Sequence, residues 1–295
     1  MGIVYTRLME EFPIETIVPE QFFPQLAELP QAPKRLYIRG SLEHIIGTTF
    51  LTVVGSRKYS PYGKQVCESL IKGLADYPIT IVSGLAIGID AIAHQAAIDA
   101  GLPTVAFPGS GLNWNAIYPS QNKELAKNIL KAGGVLMSEF DHDLSGLYWA
   151  FPQRNRLEAG LASMTIVIEA EEKSGTLITA RLATEYNKTV GAVPGPITSS
   201  TSVGANWLLK LGAIPITSST DILSELGFIN SGKIDKTIEL NEIEQKIMTT
   251  LTQGKSKETI IEELSLDIVT ASIAFTTLEI KGVIKETYGL LERTI

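Results

Sequence analysis

Cysteine, histidine and long apolar runs are all scarce in this chain of 295 residues. The single cysteine, Cys67, excludes an internal disulfide framework and is typical of a reducing compartment, so we expect a cytoplasmic protein. The three histidines lack cysteine–histidine ligand spacing, and we expect no metal and no cofactor. No apolar run approaches a membrane span, and residues 1–20 carry glutamates where a signal peptide needs an apolar core.

Positive charge is in short supply as well. The 25 lysines and arginines stand against 32 aspartates and glutamates, for a net charge of −7. This balance argues against a protein that coats duplex nucleic acid. Local charge decides a contact, however, and the basic residues between Gly55 and Lys188 fall mainly at predicted strand ends. We therefore expect one focused positive pocket on an otherwise acidic body.

The pattern of apolar residues changes at three places along the chain. Residues 1–47 are rich in proline and predict an N-terminal extension that wraps the main domain. Residues 48–228 alternate short apolar runs with helical patterns, which predicts an α/β fold: a Rossmann-like, doubly wound, mainly parallel sheet. The predicted strands are Phe50–Val54, Ile79–Val82, Thr104–Phe107, Val135–Met137, Met164–Ile168, Thr189–Val193 and Ala213–Ile216. The predicted helices are Lys64–Leu74, Ile89–Ala100, Lys123–Ala132, Leu177–Tyr186 and Asn206–Leu211.

A polar linker at 229–239 leads to a second domain at 240–295. Three helical patterns, Glu242–Thr252, Lys257–Leu264 and Ile268–Lys281, precede a predicted hairpin at 282–288. This order is typical of a small winged-helix-like domain. Its presumed recognition helix has only Lys281 as a basic residue, so we expect this domain to dock a protein rather than to be the main DNA reader.

Four predicted strands end in glycine or small polar turns. These turns are Gly55-Ser56-Arg57, Ser83-Gly84, Pro108 to Gly111 and Ser174-Gly175-Thr176. Ligands of open parallel sheets lie outside the carboxyl ends of the strands, and turn amides at helix starts favour anions. Their convergence predicts a phosphate-binding site.

The sequence Phe151 to Arg156, FPQRNR, concentrates chemistry that suits nucleic acid. Guanidinium groups bind phosphate oxygens in a bidentate manner, and an aromatic ring stacks on a base. Phe151 has two interpretations, a base-stacking ring or a core residue. His94 is interpreted as a structural, hydrogen-bonding residue.

In their order along the chain, these blocks resemble the DNA-processing protein A family (DprA/Smf). The resemblance covers roughly residues 20–228 and the small C-terminal domain. The blocks that carry it are Val54 to Arg57 with Tyr62-Gly63; SGLAIGIDAIAH at 83–94; Gly109 to Gly111 with Tyr118-Pro119 and Asn122; Ser138-Glu139; FPQRNR at 151–156; Glu169-Ala170; KSGTLITA at 173–180; and Ala192 to Gly195.

The resemblance implies a homodimer that binds single-stranded DNA and loads the RecA recombinase on incoming or exposed strands, as in natural transformation. We expect no catalysis, because the glycine run and the following glutamate of the related hydrolases are missing. Carried over to this sequence, the strand contacts would come from Gly55, Ser56, Arg57, Ser83, Gly84, Gly109, Gly111, Phe151, Arg154, Asn155, Arg156, Lys173, Ser174, Gly175 and Thr176. Residues 1–47 are too short for the helical N-terminal module of many relatives.

Two enzyme hypotheses remain beside the binding protein. The fold is related to that of nucleoside-monophosphate phosphoribohydrolases, which depend on a Pro-Gly-Gly-x-Gly-Thr run followed by a glutamate. Here the equivalent stretch, 170–179, is AEEKSGTLIT, without the first glycines and with the glutamates before the turn. A nicotinamide-dependent oxidoreductase has only the fold in its favour.

Overall fold

The chain divides into two units, Met1–Ser231 and Gly232–Ile295. The computed structural model describes residues 12–147, 149–229, 241–251, 254–280, 283–287 and 289–293. The predicted linker at 229–239 lies, apart from Ile229, outside the described residues, as do residues 1–11 of the predicted extension.

A mostly parallel sheet organises the first unit. Its strands are β1 (Ile14–Ile17), β2 (Leu36–Arg39), β3 (Thr49–Val54), β4 (Ile79–Ser83), β5 (Thr104–Ala106), β6 (Val135–Ser138), β7 (Met164–Val167), β8 (Thr189–Ala192) and β9 (Ile214–Pro215). In the described part of the unit their order across the sheet is β1-β2-β6-β5-β4-β3-β7-β8-β9. Strands β3 to β9 run parallel, whereas β1 and β2 are antiparallel to their neighbours. The predicted α/β fold is confirmed.

Helices connect these strands and cover both faces of the sheet. They are α1 (Pro61–Lys72), α2 (Ile89–Asp99), α3 (Lys123–Lys131), α4 (Ala150–Leu161), α5 (Thr176–Glu185), α6 (Val203–Lys210) and α7 (Ser219–Glu225). Alternate residues of β3 face opposite layers, as strand geometry requires. Leu51 and Val53 pack in the core with α1, α2 and α7, and Phe50 packs in the core with α4. No helix in the described ranges is both long and apolar enough to span a bilayer.

The start of α1 illustrates how sequence fixes an element. Ser60 has extended backbone angles, and its Oγ accepts from the Gly63 amide at 3.1 Å. Pro61 occupies the first helical turn, where a missing N–H costs nothing. Together they start α1 just after the β3 turn.

Two predictions need correction. The N-terminal stretch does not merely wrap the domain, because β1 and β2 join the sheet beyond β6. The FPQRNR segment belongs to α4, a helix that the apolar pattern did not predict.

The second unit contains α8 (Glu242–Thr250), α9 (Lys257–Leu264), α10 (Ile268–Ile280) and a hairpin of β10 (Ile284–Thr287) and β11 (Leu290–Arg293). This is the predicted order, with a hairpin that extends beyond residue 288; Lys281, Gly282 and Tyr288 lie outside the described residues. Ile247, Ile260, Phe275 and Leu278 form its core with other apolar side chains.

Candidate nucleic-acid interface

The carboxyl ends of β3 and β7 meet where the chain reverses its direction across the sheet. From β3 the chain builds β4, β5 and β6 on one side, and it then returns to place β7 on the other side of β3. Val54 pairs with Val167 at these ends. In open α/β sheets, ligands bind at such a switch point.

A cleft of about 380 Å³ opens at this point, and we call it the switch-point cleft. The turns after β3 and β7, the first turns of α4 and the start of α5 form its walls. The predicted contact residues that line it are Gly55, Ser56, Arg57, Phe151, Arg154, Asn155, Ser174, Gly175 and Thr176. The predicted residues outside the lining are Ser83, Gly84, Gly109, Gly111, Arg156 and Lys173.

The turn after β3 presents two cations to the cleft. Arg57 and Lys58 are exposed, and neither has an ion-pair partner among the described residues. Ser56 is buried, and its Oγ accepts from the Lys58 amide at 3.0 Å. A Cβ on Gly55 would lie 2.6 Å from Ile89 Cγ1, so only glycine fits there. The tight turn therefore holds both cations at the strand end.

Phe151 is half-buried in the first turn of α4. Its ring centroid lies 5.7 Å from that of Tyr118 and 5.4 Å from Cζ of Arg57. A Cβ on Gly109 would lie 2.4 Å from Phe151 Cδ1, so the turn after β5 supports the ring. Phe151 is neither a free surface ring nor a fully buried core residue, and base stacking stays a prediction.

Arg154 is buried, which differs from the predicted phosphate clamp. The residue is 7% exposed. Its Nη1 donates to the carbonyl oxygens of Gly84 and Phe107, the latter at 2.5 Å. Its Nε lies 3.0 Å from Oε1 of Glu158. The guanidinium therefore ties together the loops after β4 and β5, and a contact with a bound strand stays a prediction.

The two residues that follow Arg154 in the sequence lie in different surroundings. Asn155 is buried, and its Oδ1 accepts from Arg154 Nε at 3.2 Å at the edge of the cleft. Arg156 pairs with Glu139, the residue after β6, and lies outside the cleft lining. The structure therefore separates the arginine pair that the sequence groups together.

The predicted residues at the ends of β4 and β5 do not line the cleft but pack behind the residues that do. Ser83 is fully buried, and its Oγ donates to the Val53 carbonyl oxygen at 2.7 Å. A Cβ on Gly84 would overlap the Arg154 guanidinium. A Cβ on Gly111 would lie 2.3 Å from the His142 carbonyl oxygen, so Gly111 packs against the loop after β6.

The turn after β7 forms the opposite wall. Lys173 and Gly175 are exposed, and Gly175 and Thr176 line the cleft. The Thr176 amide donates to Ser174 Oγ at 3.2 Å, and the Ser174 amide donates to the Glu171 carbonyl oxygen at 3.1 Å. These two amides are therefore occupied within the turn, which differs from the expected set of free turn amides.

Two buried carboxyl groups, Asp90 and Glu158, form part of the cleft lining. Burial raises the pKa of Glu158 to about 7, against the opposing effect of Arg154. Burial also raises the pKa of Asp90, although Arg154 and two backbone amides act in the opposite direction. Asp90 Oδ2 lies 3.9 Å from Arg154 Nη2. Asp90 Oδ2 accepts from the Gly84 and Ala86 amides, so Asp90 caps this turn, a role that its position in the sequence allows. The sequence interpretation missed Glu158. Its pairing with Arg154, four residues earlier, can be predicted only if α4 is recognised as a helix.

Two other titratable residues that invite a catalytic interpretation are structural. His94 is fully buried, and its Nδ1 lies 2.7 Å from Thr104 Oγ1. Burial lowers the pKa of His94 to about 3. Glu169 accepts from the Ser60 hydroxyl at 2.6 Å and from the Thr201 hydroxyl at 2.8 Å, so it links the start of α1 to the segment before α6. Across the described residues no group of acidic, histidine or cysteine side chains is arranged to hold a metal.

Comparison with known proteins adds independent findings. The model of the family described as DNA recombination-mediator protein A matches residues 14–227. Protein Smf of Escherichia coli is 41% identical over 221 residues, which are 74% of this chain and 58% of the relative. DNA processing protein DprA of Streptococcus pneumoniae is 38% identical over 223 residues, 76% of this chain and 77% of the relative. This chain thus spans somewhat more than half of the Escherichia coli protein.

Two solved structures share the fold of the first unit. The X-ray structure of DNA processing protein A from Streptococcus pneumoniae has a TM-score of 0.67 at 36% identity, covering 76% of this chain and 78% of that one. DNA processing protein A from Helicobacter pylori, described for its single-stranded DNA binding mode, has a TM-score of 0.65 at 30% identity. That match covers 73% of this chain and 96% of the other.

Proposed function

This chain belongs to the DNA recombination-mediator protein A family, and from this premise we propose that it binds single-stranded DNA in the switch-point cleft. The observation that carries the proposal is the placement of Arg57 and Lys58, exposed and without carboxylate partners among the described residues, beside the Phe151 ring. Cations bind backbone phosphates, and a ring stacks on any base. The Helicobacter pylori relative, described by its single-stranded DNA binding mode, supports this ligand.

The binding has little sequence preference in this proposal. The exposed cations of the cleft lining, Arg57 and Lys58, suit phosphate oxygens, and Lys173 is exposed just outside the lining. Asn155 is buried, and its Oδ1 is already bonded to Arg154, which leaves few groups for the edges of bases. A duplex presents its bases stacked inside, so the Phe151 ring favours a single strand over a duplex.

We further propose that the protein acts as a homodimer through an apolar groove of about 1060 Å³. This edge groove is lined by Leu177, Ile178, Val203, Trp207, Leu211 and Ile214 together with polar residues. Trp207 is 51% and Leu211 64% exposed, which is unusual for large apolar side chains beside a groove.

A second copy of the chain is the occupant that fits this groove. Charges of both signs border it, with Arg181 paired to Glu185 at 3.3 Å and Lys188 nearby, and a self-complementary two-fold contact can pair such charges between copies. Pro215 in β9, the last strand of the sheet, has no N–H for a further strand, which favours side-chain contacts over sheet extension.

Loading of RecA on exposed strands, as in natural transformation, is the biological role that we propose for this binding. The second unit supplies a surface suited to a protein, since Ile268, Val269 and Ile273 of α10 are 72%, 68% and 63% exposed. A helix that reads a DNA groove normally presents polar and basic side chains instead. We assign no turnover to the chain.

The alternative, a nucleotide enzyme of the phosphoribohydrolase type, draws on one observation. Glu158, with its pKa raised to about 7, lies beside Asp90 at a cleft large enough for a mononucleotide. Its carboxyl group is 1% exposed and contacts Arg154, which favours a structural role over proton transfer to a ligand.

Fluorescence anisotropy with a single strand, a duplex and a nucleoside monophosphate tests the proposal. We expect the single strand to bind best, with log affinity falling by about 0.7 per log unit of salt for each phosphate neutralised. Arg57→Ala weakens binding about tenfold or more, whereas Arg35→Ala, a change at an exposed arginine outside the cleft, leaves it unchanged. Equal affinity for duplex, or release of free base from the monophosphate, contradicts the proposal.

A further inference from the structure

Buried donors without acceptors gather at the antiparallel end of the sheet, away from the cleft. Arg39 on β2 is 3% exposed, yet its Nε and Nη1 have no hydrogen-bond partner. Trp114, in the loop after β5, is also 3% exposed and leaves Nε1 without a partner. Native proteins seldom bury such donors unless water or an ion meets them.

These side chains form one contiguous cluster. Cζ of Arg39 lies 4.6 Å from the Trp114 ring centroid, and Nζ of Lys127 lies 5.8 Å from it. Tyr37, two residues before Arg39 and therefore on the same face of β2, packs on the His142 ring at 4.4 Å between centroids. His142 Nδ1 is another buried atom without a partner.

The cluster carries excess positive charge. Of the nearby carboxylates, Glu124 pairs with Lys127 of the cluster itself at 2.5 Å, and Asp143 accepts from Asn113 at 2.6 Å, so the excess charge is that of Arg39. Among the described residues, Arg39 has no ion-pair partner. Burial lowers the pKa of the Arg39 guanidinium, as expected for a buried cation without a counter-charge.

We propose that Arg39, Trp114 and Lys127 form a second phosphate-binding site, distinct from the switch-point cleft. A phosphate group offers several acceptor oxygens and negative charge, so it satisfies the guanidinium and indole donors and neutralises the excess charge. A water molecule satisfies donors without neutralising them. The site goes beyond the proposed strand binding, since β2 lies four strand spacings, roughly 19 Å, from β3.

Thermal unfolding of the whole chain in sodium phosphate, against sodium chloride at equal ionic strength and pH, tests the site. The Arg57→Ala background removes the main cation of the cleft. We expect phosphate to raise the melting temperature of this variant, because a ligand bound only to the native state stabilises it. Adding Arg39→Met weakens the phosphate response at least about tenfold in apparent affinity. Adding Arg35→Met, at an exposed arginine stacked on Tyr37, leaves the response intact.

A second variant tests the site in case Arg39→Met does not fold. Trp114→Phe keeps the ring and removes only the N–H, and it weakens the phosphate response while far-ultraviolet circular dichroism stays unchanged. Loss of the whole response in Arg57→Ala alone, or an unchanged response after Arg39→Met, overturns the second site without touching strand binding in the cleft.

A further experiment tells whether the bound phosphate belongs to a DNA strand or to a free ligand. It measures the salt dependence of oligothymidylate binding by the Arg39→Met variant of the otherwise native chain. A salt slope shallower by about 0.7 than that of the native protein assigns the phosphate to a bound strand. An unchanged slope with a lost phosphate response assigns the site to free phosphate or a small phosphate ester.

Discussion

The Arg57 guanidinium lies over the Phe151 ring, with 5.4 Å between Cζ and the ring centroid. Arg57 follows β3 and Phe151 opens α4, so the contact joins two walls of the switch-point cleft. A cation over an aromatic face is held by the quadrupole of the ring. In the proposed binding mode, Phe151 supports Arg57 against a backbone phosphate and its half-buried ring stacks on a base.

Phe151→Ala is expected to lower single-strand affinity by about 1–3 kcal/mol, through loss of stacking and of support for Arg57. Phe151→Leu, which retains apolar volume without a ring, separates stacking from packing. Anisotropy at several salt concentrations measures the effect. If Phe151→Ala lowers the melting temperature and leaves affinity intact, Phe151 is a core residue.

Arg154→Ala is expected to destabilise the fold by about 3–5 kcal/mol, since it leaves Asp90 and Glu158 buried without their cation. The sequence interpretation expects this variant to stay fully folded and only to lose affinity. Urea unfolding decides between the two. Arg181→Ala, which breaks an exposed ion pair with Glu185, serves as the control and should cost at most about 1 kcal/mol. An Arg154→Ala protein as stable as this control refutes the structural role.

Glu158 is expected to make stability depend on pH. Its folded pKa, about 7, lies above the unfolded value of about 4.3, so the native state binds more protons between these values. The free energy of unfolding therefore falls as pH rises from about 4.3 to about 7, with a slope of up to about 1.4 kcal/mol per pH unit from this group. Glu158→Gln should flatten this dependence, measured by urea unfolding across that range.

Glu171→Gln, at an exposed carboxylate of the same cleft, provides the control for that series. It should leave the pH dependence unchanged. If Glu158→Gln leaves the pH profile unaltered between pH 4.3 and 7, Glu158 is ionised in the native state over this range and the prediction is wrong.

The parallel sheet was predictable because its strands are apolar throughout and alternate with helical patterns. The glycine turns were predictable as features of strand ends, which parallel strands bring to one edge. The helix α4, by contrast, was not predictable from the sequence. Pro152 lies in the first turn, where a helix tolerates proline, and the buried face of α4 mixes the charged Arg154 and Glu158 with apolar residues such as Leu157, so no apolar period marks the helix.

The roles of the individual arginines could not be predicted either, because they depend on α4 being a helix. Local sequence places Arg154 beside Arg156, but only the helix shows that Arg154 faces Glu158 and the interior while Arg156 faces Glu139. The Arg39–Trp114 contact joins β2 to the loop after β5, and no local pattern indicates a pairing between segments so far apart in the chain.

Trp207→Asp is expected to prevent dimer formation by placing a charge in the apolar edge groove. Sedimentation velocity of the whole chain measures the change. Lys64→Asp provides the matched control, because it introduces the same residue at an exposed position of α1 outside the groove. A native protein that sediments as a monomer at micromolar concentration, or a Trp207→Asp variant that remains dimeric, contradicts the assignment of this groove.

Deletion of residues 231–295 is expected to leave single-strand affinity within a few-fold of the intact chain. Every turn of the proposed strand-binding cleft lies in the first unit, whereas Glu258, Glu262 and Glu263 are exposed on α9 of the second. An acidic surface repels a phosphate backbone and suits a protein partner. Circular dichroism and sedimentation check that the shortened chain stays folded and keeps its oligomeric state. With both intact, a loss of most of the DNA affinity makes the second unit a DNA reader, whereas retained affinity with impaired RecA loading places partner docking there.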